Sequence, residues 1–280
     1  MKSIFTLCAT VFLFLTSCSN QPSKPTLKIA ATSIPHAEIL EFIKPELQKQ
    51  DIDLEILIID DFNTPNRAVA DGEADANFFQ HAPFLEAQKE DFGYKLEILT
   101  AVHLEPMGLY SKKYAALAAI QDKALIAVPS DPSNLARALV LLEQSGLISL
   151  KSRGPKTCVL DIAENSHQFQ FIEIDAPLLA RSLEDVDIAA ITTNFALLGG
   201  LSPKTDALAL EDDQSDFVNL LVIREGESER NELQILKKFL TNEAIQQFID
   251  DKYSGQIIPI LHRLRKKKEE DKKKKTTALA

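Results

Sequence analysis

Between Ala74 and Ala87 the chain reads ADANFFQHAPFLEA, three phenylalanines set around a glutamine and a histidine without a lysine or arginine. Phe79, His81 and Phe84 in such a grouping suit either packed core or the lining of a pocket for an apolar group. A second grouping, PSDPSNLAR (129–137), puts Asn134 and Arg137 three residues apart on one face of a helix that Asp131 caps and Pro132 opens. A guanidinium near the positive end of a helix suits a carboxylate, because its fork of donors matches two oxygens. Asn194 in TTNFA and Asn219, which interrupts the apolar run FVNLLVI, add two amides, and an amide left unpaired within such a run is costly.

Bringing these groups together requires a scaffold, and the chain outlines one. LKIAAT (27–32), DLEILII (53–59), a segment near 75–78 and KLEILTA (95–101) read as strands alternating with helical stretches, which calls for a mostly parallel sheet. Thr64 is expected as the cap of the helix TPNRAVADGE, with Pro65 at its first position, and Pro45 is expected to kink or restart the first helix near Lys44. A second series runs through ALIAVP (124–129), a helix from Asp131 to near Gly146, QFIEID and VDIAAI. The segments HLEPMGLYSKK and EDDQSDFVNLLVIREG join the two series, so the expectation is an α/β protein of two lobes with two crossings and a cleft between them. Lobe 1 is assigned to 27–108 and 217–262, and lobe 2 to 109–216.

In open α/β sheets, ligands sit beyond the carboxyl ends of the strands. Those ends carry Thr32, Ser33 and His36; Asp61, Phe62 and Asn63; Phe79, Gln80 and His81; and Asn194 in the second series. Singly, each has a plainer explanation: Arg137 as a surface helix arginine, Asn219 as an amide satisfied by backbone, the phenylalanines as core. Their convergence on one crevice describes a pocket for an amino acid.

The N-terminus reads MKSIFTLCATVFLFLTSCSN: a lysine, an apolar run from Ile4 to Leu15 and a small-residue site. This is a secretory signal over 1–17, and Leu15-Thr16-Ser17-Cys18 looks like a lipobox that makes Cys18 the lipidated first residue, with 18–26 as a leash to the membrane. Cys8 leaves with the signal, so Cys158 is the one thiol of the mature chain and no internal disulfide forms. A formal charge of -10 argues against nucleic acid as a partner, and the run RLRKKKEEDKKKK within 263–280 reads as a solvated basic tail. Nucleophile-elbow, phosphate-loop, dinucleotide and H-E-x-x-H motifs are all missing, which leaves no case for an enzyme or a cofactor. A rival set, His36, His81 and His103 with Glu105, offers ligands for a divalent metal.

In order along the chain, PHAEIL (35–40), TPNRAVADGEADANFFQHAPFLEAQ (64–88), HLEPMGLYSKK (103–113), IAVPSDPSNLARALVLLEQSGLISLK (126–151), DAPLLARSLEDVDIAAITTNFA (175–196) and FVNLLVIRE (217–225) resemble the methionine-binding (NLPA) lipoprotein family of ABC importers. The resemblance covers the mature chain to about Ile258. It implies a two-lobed periplasmic-binding-protein fold that closes on L- or D-methionine and delivers it to a permease and its ATPase. It also implies a side-chain cage of Phe62, Phe79, His81 and Phe84, and zwitterion contacts from Arg137, Asn194 and Asn219. Phe62 and Phe84 stand where many relatives have tyrosine, so two hydroxyls are absent. Another small apolar amino acid, a methionine-containing dipeptide or a divalent metal is the alternative cargo.

Overall fold

The computed structural model describes residues 24–264, so the signal segment, Cys18 and the basic tail beyond Leu264 lie outside the described residues. The first strand, β1 (Thr26–Ala31), leads through a tight turn to α1 (Glu38–Gln48), and β2 (Asp53–Ile58) then pairs with β1 in parallel. Contrary to expectation, α1 runs unbroken through Pro45. Pro45 faces solvent one turn from the helix end, and the buried Ile43 and Leu47 on either side anchor the helix to the core, which outweighs the single lost backbone bond.

The helix α2 (Thr64–Ala70) begins at Thr64 instead of being capped by it. Asp61 does the capping, its carboxylate accepting from the Asn63 and Thr64 amides at 2.7 Å each and from the Thr64 hydroxyl at 2.9 Å. Next, β3 (Ala76–His81) is buried at every position, as expected of a strand covered on both faces, and it extends three residues past Phe78. It runs straight into α3 (Ala82–Phe92), whose first turn is capped by His81 Nδ1 accepting from the Phe84 amide at 3.2 Å. After β4 (Leu96–Leu104) the chain crosses to a second sheet.

That sheet contains β5 (Gly108–Tyr110), β6 (Leu125–Pro129), then, after α4 (Pro132–Gln144) and the small hairpin β7 (Ser149–Leu150) and β8 (Ile162–Glu164), β9 (Gln170–Ile174). It is completed past α5 (Leu179–Ser182) by β10 (Ile188–Ile191), and past α6 (Thr193–Leu198) and α7 (Pro203–Asp206) by β11 (Ala207–Leu210). The chain then returns along β12 (Val218–Arg224) into the first sheet, adds α8 (Asn231–Leu240) and α9 (Glu243–Tyr253), and closes that sheet's edge with β13 (Ile258–Pro259).

The six-stranded sheet has the order β13-β4-β12-β3-β1-β2 and the five-stranded one β11-β5-β10-β6-β9. Both are mixed, where a mostly parallel sheet was expected for the first. The strand β12 inserts between β3 and β4 and runs antiparallel to each, so β4 never meets β3. A returning strand from far along the chain leaves no local signal of where it will insert. Helices α1, α8 and α9 cover one face of the first sheet through Leu40, Ile43, Leu236 and Ile249, while Val69 and Leu85 from α2 and α3 cover the other. In the second sheet, α4 packs Leu139 and Leu142 on Ile126, Val128 and Ile188. Two layered units thus form two lobes, linked by the segments between β4 and β5 and between β11 and β12. Among the described residues no helix is long and apolar enough to cross a membrane.

Candidate ligand site

A narrow cavity lies where the carboxyl ends of β2, β3, β6 and β10 converge between the lobes. The loop after β2 supplies Phe62, the end of β3 supplies Phe79, Gln80 and His81, and α3 supplies Phe84. The first crossing supplies Glu105, α4 supplies Asn134 and Arg137, the end of β10 supplies Thr192 and Asn194, and β12 supplies Asn219. The seven residues expected from the sequence, Phe62, Phe79, His81, Phe84, Arg137, Asn194 and Asn219, therefore face one space. Gln80, Glu105, Asn134 and Thr192 join them.

One end of the cavity is apolar. The Phe62 ring lies 5.9 Å from Phe79 and 5.7 Å from Phe84 between centroids, and Phe79 and Phe84 meet edge to face at 5.8 Å. Phe195, which sequence reasoning passed over beside Asn194, backs Phe62 at 5.0 Å from the opposite lobe. Beneath the aromatic wall, Asn66, Asn77 and Gln80 form a closed amide network: Asn66 and Gln80 exchange bonds at 3.0 and 2.6 Å, Asn77 donates to Asn66 at 2.9 Å, and Gln80 donates to Asn77 at 2.8 Å. Every polar side chain on this buried floor is satisfied, so the floor is rigid.

The other end is polar. Arg137 Nε donates to both carboxylate oxygens of Glu211, at 3.0 and 3.1 Å, and Nη2 donates to the Glu105 carbonyl at 2.7 Å. Phe217 stacks under its guanidinium at 4.4 Å. The guanidinium is thus fixed on three sides, with Nη1 held only by a long 3.5 Å contact to Asn134. Glu211 gives no cue in sequence, lying 74 positions from Arg137 at the start of the acidic loop EDDQSD. Asn194 Nδ2 and Thr192 Oγ1 are buried and have no partner among the described residues. Two free polar groups and a guanidinium edge in one cavity form a receptor for an anionic group.

His81 is neutral. Its Nδ1 accepts from the Phe84 amide, so the proton sits on Nε2, which donates to Asn134 Oδ1 at 3.1 Å across the cleft. Burial, reinforced by the Arg137 charge, lowers its pKa to about 3. The expected metal set comes together only in part. Ligand atoms of His36, His103 and Glu105 lie within 4.8 Å of one another, while His81 is engaged elsewhere. Cys158 is a free, partly exposed thiol outside this cavity's lining.

Two layered α/β lobes, joined by two crossings and enclosing a cavity at the strand ends, define a solute-binding protein of the periplasmic-binding type. The NlpA lipoprotein family profile matches residues 27–261, and the chain belongs to that family. The methionine-binding lipoprotein MetQ of Bacillus subtilis is 34% identical over 273 residues, covering 93% of this chain and 99% of that protein. A periplasmic substrate-binding protein of an ABC transporter from Coxiella burnetii has 41% identity and a TM-score of 0.80, covering 83% of this chain and 99% of the solved one. A nutrient-binding protein from Burkholderia cenocepacia, solved bound to methionine, has 35% identity and a TM-score of 0.81, covering 83% and 99%. The chain is a binding protein of a bacterial envelope lipoprotein family, not an enzyme.

Proposed function

We propose that this protein captures methionine between its lobes and delivers it to an ABC permease and its ATPase, tethered to the membrane by lipid on Cys18. The observation that carries the reading is the division of one cavity into an aromatic end and an anion-accepting end. A thioether suits the Phe62, Phe79 and Phe84 faces, each sulfur–ring contact contributing about 0.3 to 1.5 kcal/mol. The ligand carboxylate fits Arg137 Nη1 and Asn194 Nδ2, where charge-assisted bonds contribute more than any one ring contact. A methionine-binding lipoprotein and a methionine-bound nutrient-binding protein among the relatives point the same way.

Lobe 1 comprises 27–108 and 217–262, lobe 2 comprises 109–216, and the hinge lies in the two crossings near Met107 and Asp216. Glu211 ties the crossings together: its amide donates to the Met107 carbonyl at 2.9 Å, and its carboxylate accepts from the Met107 amide at 3.2 Å and pairs with Arg137. Bonds that span the cleft, such as His81 to Asn134 and Arg137 to the Glu105 carbonyl, mark the closed arrangement, which a ligand touching both lobes stabilises.

Native mass spectrometry of the purified protein tests the reading, because a co-purified ligand reports its own mass. A bound mass equal to methionine is expected. A dipeptide mass would redirect the reading to peptides, and a zinc or manganese mass retained in place of methionine would turn it to the His36, His103 and Glu105 cluster.

A further inference from the structure

The arginine of the cavity is steadied by a side chain that lies outside it. We infer that Phe217 is a positioning residue for ligand binding: carried by lobe 1, its ring is the platform on which the Arg137 guanidinium lands when the lobes meet, and so is aimed at the ligand's carboxylate. The inference rests on the amino-acid reading and names the residue that ties the anion-binding group to closure.

Phe217 immediately precedes β12, at the end of the second crossing. It is absent from the cavity lining and faces an outer groove with Pro83, Val140, Arg153 and Asp216. Partly exposed, it belongs to none of the hydrophobic cores of the described residues. Its ring instead touches two residues that line the cavity, one from each lobe. His81 meets it at 4.9 Å between centroids with the planes 78° apart, and the guanidinium carbon of Arg137 lies over its face at 4.4 Å. The Ser215 hydroxyl oxygen accepts from the Phe217 amide at 3.3 Å, which fixes the turn that presents the ring.

The two contacts have different standing. Asn219 pairs with His81 in the ladder between β12 and β3, so Phe217 and His81 travel with the same lobe. The contact with Arg137 spans the cleft, because α4 belongs to the other lobe. Glu211 and the Glu105 carbonyl hold the guanidinium by hydrogen bonds at its edge, and bonds at an edge leave the plane free to tip. A ring against the flat face removes that freedom, since the cation is drawn to the negative face of the aromatic system. The direction matters because Nη1 has only its long 3.5 Å contact to Asn134 and must share one carboxylate with Asn194 Nδ2. Opening about the crossings takes the guanidinium off the ring, so the donor acquires its aim only in the closed arrangement. The ring is uncharged, so it sets the direction of the donor and leaves the charge of the site unaltered.

The test titrates ligand-free wild type, Phe217→Leu and Phe217→Tyr with L-methionine and with L-methioninamide, which lacks the carboxylate. Phe217→Leu is expected to weaken methionine by about threefold to thirtyfold and the amide by less than about twofold. Phe217→Tyr keeps the aromatic face and is expected to bind methionine within about twofold of wild type. Because the side chain lies outside the cores, the ligand-free melting temperature of Phe217→Leu is expected to stay within about 2 °C of wild type, which separates a binding loss from misfolding. A Phe217→Leu protein that binds methionine as tightly as wild type overturns the inference. So does an equal loss for both ligands, the mark of a contact that only helps the lobes close, or a Phe217→Tyr protein as weak as Phe217→Leu, a comparison that needs methionine alone. A wild type that ignores methionine altogether overturns the amino-acid reading itself.

Discussion

Asn194 separates binding from folding more cleanly than any other residue in the cavity. Its Nδ2 is buried without a partner among the described residues, so the folded chain gains nothing from it. Asn194→Ala is therefore expected to weaken methionine binding by about tenfold or more while leaving the melting temperature unchanged or raised, measured by titration and calorimetry on the same sample. Arg137 behaves differently. Removing it also strands the Glu211 carboxylate, so Arg137→Ala is expected to lower both affinity and stability. The three buried histidines set the acid response. Their folded-state pKa values, about 4, 3 and 3 for His36, His81 and His103, lie below the unfolded value near 6.5. The unfolded chain therefore binds more protons between roughly pH 4 and 6.5, and each histidine's contribution to stability falls as pH falls through that window. Glu105 and Asp131, each raised by burial, oppose them but are two groups against three. The expected outcome is a lower denaturation midpoint at pH 5 than at pH 7, with a shallower dependence in His103→Gln; a flat profile would contradict these assignments.

At the scale of elements, the site is built by adjacency. On β12, Asn219 pairs in register with His81 on β3 and with His103 on β4, which sets three polar residues abreast at one end of the sheet. The strands and the helix carrying Arg137 were legible because apolar runs and a Pro-led helix start are local signals. Six of the seven cavity residues were legible because they fall within four residues of a strand end, and Arg137 because it shares a face with Asn134 near the start of a Pro-led helix. Glu211, Phe195 and the insertion of β12 were not, since each depends on pairing across the fold. Pro45 misled because tertiary burial of Ile43 and Leu47 overrode a local breaker. The amide network below the aromatic wall is the element most open to test. Asn66→Ala leaves Gln80 and Asn77 short of a buried partner and is expected to cost about 1 to 3 kcal/mol of unfolding free energy, measured in urea.

For the whole molecule, the cavity exists only because the lobes meet. Phe62 from the first lobe packs against Phe195 of the second, and Lys156 reaches Glu90 across the cleft at 2.7 Å. That ion pair is exposed at both ends and adds little beside the buried Phe62–Phe195 and His81–Asn134 contacts. Ligand-free protein is expected to open about the two crossings, with a radius of gyration in solution that falls when methionine is added. The central claim is that the cavity binds methionine as a zwitterion. Isothermal titration of refolded, ligand-free protein with L-methionine tests it most directly. One saturable site per chain and a melting temperature that climbs with ligand concentration are expected. A correctly folded, ligand-free protein giving neither heat nor a melting shift with L- or D-methionine would contradict it.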